Sequence, residues 1–136
     1  FDTGLHVTTP QPKLLQKFYR QAQKEGIPYM VVEATSHGLD QYRLWGSYFY
    51  GGILTNITAE HLDYHHTYER LIEAKAKLFR NVRVAVLNKD DRSVEIIKPL
   101  IENQNKPPQI ITYSLEKEAY FNLNNFIKLI YHNILY

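Results

Sequence analysis

A chain of 136 residues, 44% of them apolar, is long enough for one domain with one core, and its formal net charge of +2 offers no basic surface for nucleic acid. It has no cysteine, which excludes disulfides and thiolate zinc sites and points to a reducing cytoplasm. No apolar run reaches the roughly 20 residues of a membrane span, so no membrane partner is expected.

The first residues, FDTGLHVTTP, lack the basic-then-apolar order of a signal peptide, and the missing initial methionine points to a fragment. Thr9-Pro10 reads as a helix start, with threonine as N-cap and proline at the first helical position. Leu14, Leu15, Phe18 and Ala22 then share a face before Gly26 ends the run.

Pro28 to Ala34 (PYMVVEA) is the pattern of a strand buried on both faces, followed by a loop over Thr35 to Gly38. Tyr48 to Ile57 (YFYGGILTNI) reads as a second strand and Val82 to Leu87 (VRVAVL) as a third. Between them a helix runs from Thr67, its N-cap, to about Arg80. A helix over Arg92 to Asn103 and a strand over Gln109 to Tyr113 continue the alternation. Residues 1–114 thus form an α/β unit, a mostly parallel sheet flanked by helices. Residues 115–136, rich in asparagine, isoleucine and tyrosine, form a tail with no assigned role.

In such a sheet functional loops gather beyond the carboxyl ends of the strands, where Glu33, Asn56 with His61, and Asn88 with Asp90 fall. A carboxylate at the end of a buried strand, as Glu33 is, needs a partner, and a metal cation is one. On the Thr67–Arg80 helix, Leu71, Ile72, Leu78 and Phe79 occupy one arc at about 100° per residue, with Lys75 near its middle. Glu73, Arg70, Lys77 and Arg80 lie on the other side. Lys75 either snorkels to the rim or is a buried amine of lowered pKa, able to react with carbon dioxide and hold magnesium as a carbamate. The Gln41–Arg43 pair offers a fork for carboxylate or phosphate, and Thr8 and Thr9 offer hydroxyls at a helix start.

Taken together, TTP (Thr8 to Pro10), VVEATSHGLDQYR (Val31 to Arg43), LTNITAEHLDYH (Leu54 to His65), EAKAKLF (Glu73 to Phe79) and VLNKDD (Val86 to Asp91) resemble the central, P-loop NTPase-like domain of Mur ligases. Within that family the resemblance is to the UDP-N-acetylmuramoyl-tripeptide synthetases, and it covers roughly residues 4–114. It implies a truncated part of an ATP-dependent, amide-forming ligase of cell-wall peptidoglycan synthesis, acting on UDP-N-acetylmuramoyl-dipeptide and an amino acid through an acyl phosphate. It also implies that Lys75 is the carbamylated lysine, that Glu33 and His61 are magnesium ligands beside it, and that these three are catalytic. Thr8, Thr9, Thr35, Gln41 and Arg43 fall on precursor-contacting positions, and Asn88 and Asp91 on candidate positions for ATP.

The chain departs from the family pattern at Thr35, where serine is usual, at Glu60, where aspartate is usual, and at His66, where glycine is common. No G-x-x-x-x-G-K-[ST] phosphate loop is present, and neither are the family's amino- and carboxyl-terminal domains. The expectation is a part that is inactive alone. Two other readings stay open from the residues: a metal-dependent hydrolase built on His61, Asp63, His65 and His66, and a non-catalytic remnant that binds the precursor.

Overall fold

The computed structural model describes residues 8–122. Four parallel strands form one sheet in the order β1 (Gly51–Leu54), β2 (Val84–Asn88), β3 (Gln109–Ser114), β4 (Phe121–Asn122). Ile53 registers with Val86 and Val86 with Ile111, so one row of β-branched side chains crosses three strands. The connections from β1 to β2 and from β2 to β3 run through helices, whereas β4 follows β3 after residues 115–120 with no helix between them. The helices are α1 (Pro12–Lys24) and α2 (Ser36–Asp40), ahead of the sheet, then α3 (Leu62–His65), α4 (Tyr68–Ala76, continued by a 3-10 turn, Lys77–Phe79) and α5 (Val94–Glu102).

The core lies between one sheet face and helices α4 and α5. Leu54, Ala85 and Leu87 from the strands meet Leu71, Phe79 and Ile97 from the helical layer, all buried. Strand β2 alternates buried and half-buried residues, as a strand with one well-covered face does. Gly52 is where β1 touches the helical layer most closely. A Cβ there would lie 3.1 Å from Leu78 Cγ and 3.3 Å from the Phe79 ring.

Helix α4 starts as its sequence requires: the Thr67 hydroxyl accepts the amide of Arg70 at 3.2 Å. Strand β3 and helix α5 fall within two residues of the expected bounds, and β2 keeps the core of its expected span. Strand β1 is shorter than expected, because residues 55–61 peel away into a loop. That loop is held by Tyr68, whose hydroxyl donates to Ile57 O at 3.0 Å, and by Asn88, whose amide donates to Thr55 O at 2.9 Å.

Three expectations are corrected. Helix α1 begins two residues late, with Gln11 as N-cap and Pro12 in the first turn. The Thr9 hydroxyl is engaged elsewhere, with Glu33 O and the Thr35 amide, and cannot cap it. Residues 35–38 are not a loop but the start of α2, whose cap is Thr35 accepting the Gly38 amide at 3.0 Å. Finally, the PYMVVEA run forms no strand and has no backbone–backbone hydrogen bond among the described residues. Tyr29 and Val31 are 87% and 96% exposed, because β1, the edge of the sheet, does not reach this segment with hydrogen bonds.

His66 explains one departure from the family pattern. It has φ 65° and ψ −37°, and the Thr67 amide donates to His65 O at 2.8 Å across it, closing a γ-turn between α3 and α4. A side chain in that conformation is strained, and glycine is not. We expect His66→Gly to raise unfolding free energy by about 1 kcal/mol, read as a higher denaturation midpoint at unchanged m-value; a lower midpoint would mean the imidazole itself stabilises the turn.

Candidate active site

At the carboxyl end of the 28–34 segment, one hydroxyl pair joins three pieces of chain. Thr9 donates its proton to Glu33 O at 3.0 Å and accepts the Thr35 amide at 2.9 Å. Its single proton being used, the 3.2 Å contact between the two hydroxyls has Thr35 as donor. Gly38 is needed here, since a Cβ on it would come within 2.7 Å of Thr9 Cβ. Thr8 is exposed beside this knot.

Arg43 reaches the same knot from the end of α2. Its Nη1 donates to Thr9 O at 2.9 Å, while Nε and Nη2 both donate to Gln41 Oε1, at 3.0 and 2.7 Å. The fork is therefore closed on the Gln41 amide and held in one orientation. Thr9, Thr35, Gln41 and Arg43, read from sequence as one group, are one group in space.

Lys75 sits where α4 faces β1. It lines one cavity of about 680 Å³ together with Glu33, Asn56, Gly51 to Leu54 and residues 30–34. Burial depresses its pKa below the ordinary 10.5, an effect partly offset by the Glu60 and Asp91 carboxylates. The half-buried lysine and Glu33 thus open onto the same space.

His61 occupies the loop before α3, in a left-handed conformation at φ 59°. Its ring meets His37 edge-on at 4.8 Å, and His37 in turn lies 4.1 Å from the Tyr64 ring and 5.5 Å from His65. It does not line the Glu33–Lys75 cavity. His65 is 4% exposed, and its Nε2 is buried without a hydrogen-bond partner among the described residues. Burial, then the neighbouring His37, lowers its pKa. His61, Asp63 and His66 are exposed. Among the described residues no group of three or more histidine, aspartate or glutamate side chains is placed to hold a metal, so the hydrolase reading lacks geometric support.

Asn88 and Asp91, at the end of β2, are bonded within their own turn. Asn88 Oδ1 accepts the Asp90 amide at 3.1 Å, and Asp91 Oδ1 accepts the Ser93 amide at 2.9 Å and the Ser93 hydroxyl.

Sequence reasoning missed a second network. Lys77, assigned to the wet side of α4, donates to Asp40 Oδ1 at 2.6 Å and lies 4.9 Å from the Tyr42 ring centroid. Tyr64 donates to Asp40 Oδ2 at 3.1 Å, and Gln41 Nε2 points at the Tyr64 hydroxyl, 3.5 Å away. This chain of contacts ties the Gln41–Arg43 fork to the helix that carries Lys75. Periodicity gave no sign of it, since the partner of Lys77 lies on α2, 37 residues earlier.

Two outcomes follow for stability. A lysine whose folded pKa is depressed disfavours the native state at low and neutral pH, and the penalty is relieved as pH rises toward 10.5. We expect Lys75→Met to stabilise the chain at pH 7 by on the order of 1 kcal/mol and its advantage to shrink on titration to pH 10; a destabilised variant would show a lysine that is solvated or paired. The Asp40 pKa is lowered, first by its hydrogen bond with Lys77, so its contribution is present above the ordinary 3.8 and is lost as pH falls below it. Because the aspartate side chain is 40% exposed, Asp40→Asn should cost less than about 1 kcal/mol at pH 7, with wild type and variant converging near pH 3 in thermal melts.

The Mur ligase middle domain family matches residues 3–132. The 2,6-diaminopimelate-adding UDP-N-acetylmuramoyl-L-alanyl-D-glutamate ligase of Clostridium perfringens is 37% identical over 114 residues, which is 84% of this chain and 24% of the relative. The ligase of the same name from Bacteroides thetaiotaomicron is 38% identical over 117 residues, again 84% of this chain and 23% of the relative. A solved structure of a UDP-N-acetylmuramoyl-L-alanyl-D-glutamate–2,6-diaminopimelate ligase superposes with a TM-score of 0.71 at 37% identity, covering 77% of this chain and 22% of that one. The chain spans about a quarter of the length of these relatives. With its parallel sheet, its flanking helices and its match over residues 3–132, the chain belongs to the Mur ligase family as a middle domain.

Proposed function

We propose that this chain is the middle-domain part of an ATP-dependent cytoplasmic ligase that adds an amino acid to UDP-N-acetylmuramoyl-dipeptide in peptidoglycan synthesis. The precursor carboxylate attacks the γ-phosphorus of ATP to give an acyl phosphate and ADP. The incoming amine then attacks the acyl carbon, forming the amide and releasing phosphate.

The observation that carries this reading is the shared cavity of Glu33 and Lys75, with the lysine's pKa lowered by burial. A neutral Nζ can bond to the carbon of carbon dioxide and lose its proton to water, leaving an anionic carbamate. Carboxylate and carbamate oxygens on that cavity suit a hard cation. Glu33 and carbamylated Lys75 would hold magnesium, which when bound neutralises phosphate charge, and His61, whose ring lies against His37 outside this cavity, is assigned to the same ion by the family resemblance alone.

The precursor side is assigned to Thr8, Thr9, Thr35, Gln41 and Arg43, where the closed Gln41–Arg43 fork supports a preformed contact surface. Asn88 and Asp91, at the neighbouring strand end, are assigned to the ATP side. We assign the ATP phosphate loop and the two flanking domains to the whole ligase, and the reaction to that whole.

The test is a chimera in which residues 3–132 replace the matched middle segment of the Clostridium perfringens ligase. We expect phosphate release that needs ATP, the UDP-linked dipeptide and an amino acid, assayed with both 2,6-diaminopimelate and lysine. Lys75→Ala should lose at least about 100-fold, be partly restored by short carboxylic acids, and lack the carbon-13 carbamate signal seen with labelled bicarbonate. Calorimetry of the unfused chain with the precursor checks binding separately. Release indifferent to the precursor, or full activity of Lys75→Ala, would overturn the reading.

A further inference from the structure

Between α2 and β1 the chain turns three large aromatic side chains outward. Tyr42 and Gly46 take left-handed conformations, at φ 55° and 75°. The turns are closed by the Trp45 amide on Tyr42 O at 2.9 Å and by the Ser47 amide on Leu44 O at 3.0 Å. Gln16 Nε2 donates to Gly46 O at 3.2 Å and fastens this loop to α1. The result is that Leu44 and Phe49 are half-buried, while Tyr42, Trp45 and Tyr48 are 59%, 76% and 88% exposed. All three rings line one cavity of about 410 Å³, together with Lys77 and Arg80 from the end of the helical layer.

The cavity has an apolar floor and a basic rim. Leu39, Leu44, Phe49 and Leu78 line both this space and the one that Lys75 lines, so the two share one apolar layer. Among the described residues no carboxylate lines the aromatic cavity. Lys77 is neutralised by Asp40, whereas Arg80 has no ion pair among the described residues. Tyrosine, tryptophan and arginine are the residue types that anchor protein interfaces, and a group of large exposed apolar side chains marks a surface that binds something. A small ligand on the floor would leave the outer faces of these rings in water, whereas a peptide laid across the rim covers them. A second copy of the chain is disfavoured, because a two-fold contact would set two Arg80 side chains against each other. A formal net charge of only +2 gives nucleic acid little hold.

We infer that this cavity docks a short acidic peptide segment of a partner protein, with an apolar side chain on the floor and a carboxylate on Arg80. The occupant follows from charge complementarity: the guanidinium presents paired N–H donors that match a carboxylate, and no lining side chain competes for them with a negative charge. Tyr42, Trp45 and Tyr48 supply contact area at low entropic cost, since each ring turns about only two side-chain torsions. The loop that carries them is already tied down by its turns and by Gln16, which lowers the cost of ordering it on binding. This inference stands on exposed side chains and does not depend on the proposed reaction.

Trp45 is the only tryptophan of the 136-residue chain, so its fluorescence reports on this cavity directly. The experiment titrates the chain with the blocked synthetic peptide DEDLFDED, its amide counterpart NQNLFNQN and its basic counterpart KRKLFKRK. We expect a saturable Trp45 change with the acidic peptide alone, weakened by added salt. In calorimetry Arg80→Gln should lower its affinity about 10-fold and Trp45→Ala at least as much. Both side chains are exposed, so the two variants should unfold at the wild-type midpoint. Equal binding of the acidic and amide peptides, affinity unmoved by either substitution, or no saturable change up to about 1 mM peptide would overturn the inference. So would a stronger Trp45 response to anionic phospholipid vesicles or to a single-stranded oligonucleotide, or a peptide-free dimer in sedimentation that Trp45→Ala abolishes.

Discussion

The burial of Leu71, Ile72 and Phe79 against the sheet fixes the rotation of α4, and the candidate site depends on that rotation. All three are no more than 1% exposed, and each is worth roughly 1.5–3 kcal/mol when removed from water. Against that total, the cost of drawing one lysine partly out of water is small. Lys75 lies in the same arc and is carried inward, toward β1 and the cavity it shares with Glu33. A helix turned by one residue, about 100°, would bring Lys75 away from the cavity and expose part of the apolar arc.

A second set of contacts holds the other half of the site to this helix. The Thr9–Thr35 hydroxyls fix the end of the 28–34 segment, Arg43 fastens the end of α2 to Thr9, and Asp40 receives Lys77. None of these bonds is worth much alone, since most are partly or fully exposed. Their effect is geometric. Each restricts a side chain that would otherwise sample several rotamers, so the Gln41–Arg43 fork is tied to the Lys75 helix.

Much of this was legible because it is periodic. The 3.6-residue stripe placed Lys75 inside, and β2, α5 and β3 follow from apolar runs bounded by turn residues. What periodicity does not encode is the partner. PYMVVEA carries the pattern of burial on both faces, yet its sequence cannot say which strands lie beside it, and among the described residues it pairs with none. Thr9 carries the chemistry of a helix cap and spends it on Glu33 and Thr35, a choice made by tertiary contact. Asp40 and Lys77 are ordinary surface charges in sequence. His66 differs in kind, because the family's usual glycine marked a conformation, and a side chain is accepted there at a cost in strain.

The open cavity and the lysine are one physical problem. Lys75 and Glu33 line the same space, and the more completely water is excluded from it, the further burial depresses the amine's pKa. Under the proposed reading the same dehydration would make an uncompensated carbamate costly, so the anion would persist only with a cation in the cavity. Lysine modification and metal retention would then be linked: the first creates the charge, and the second is the condition for keeping it. The Glu33 carboxylate, on the same cavity, would face both.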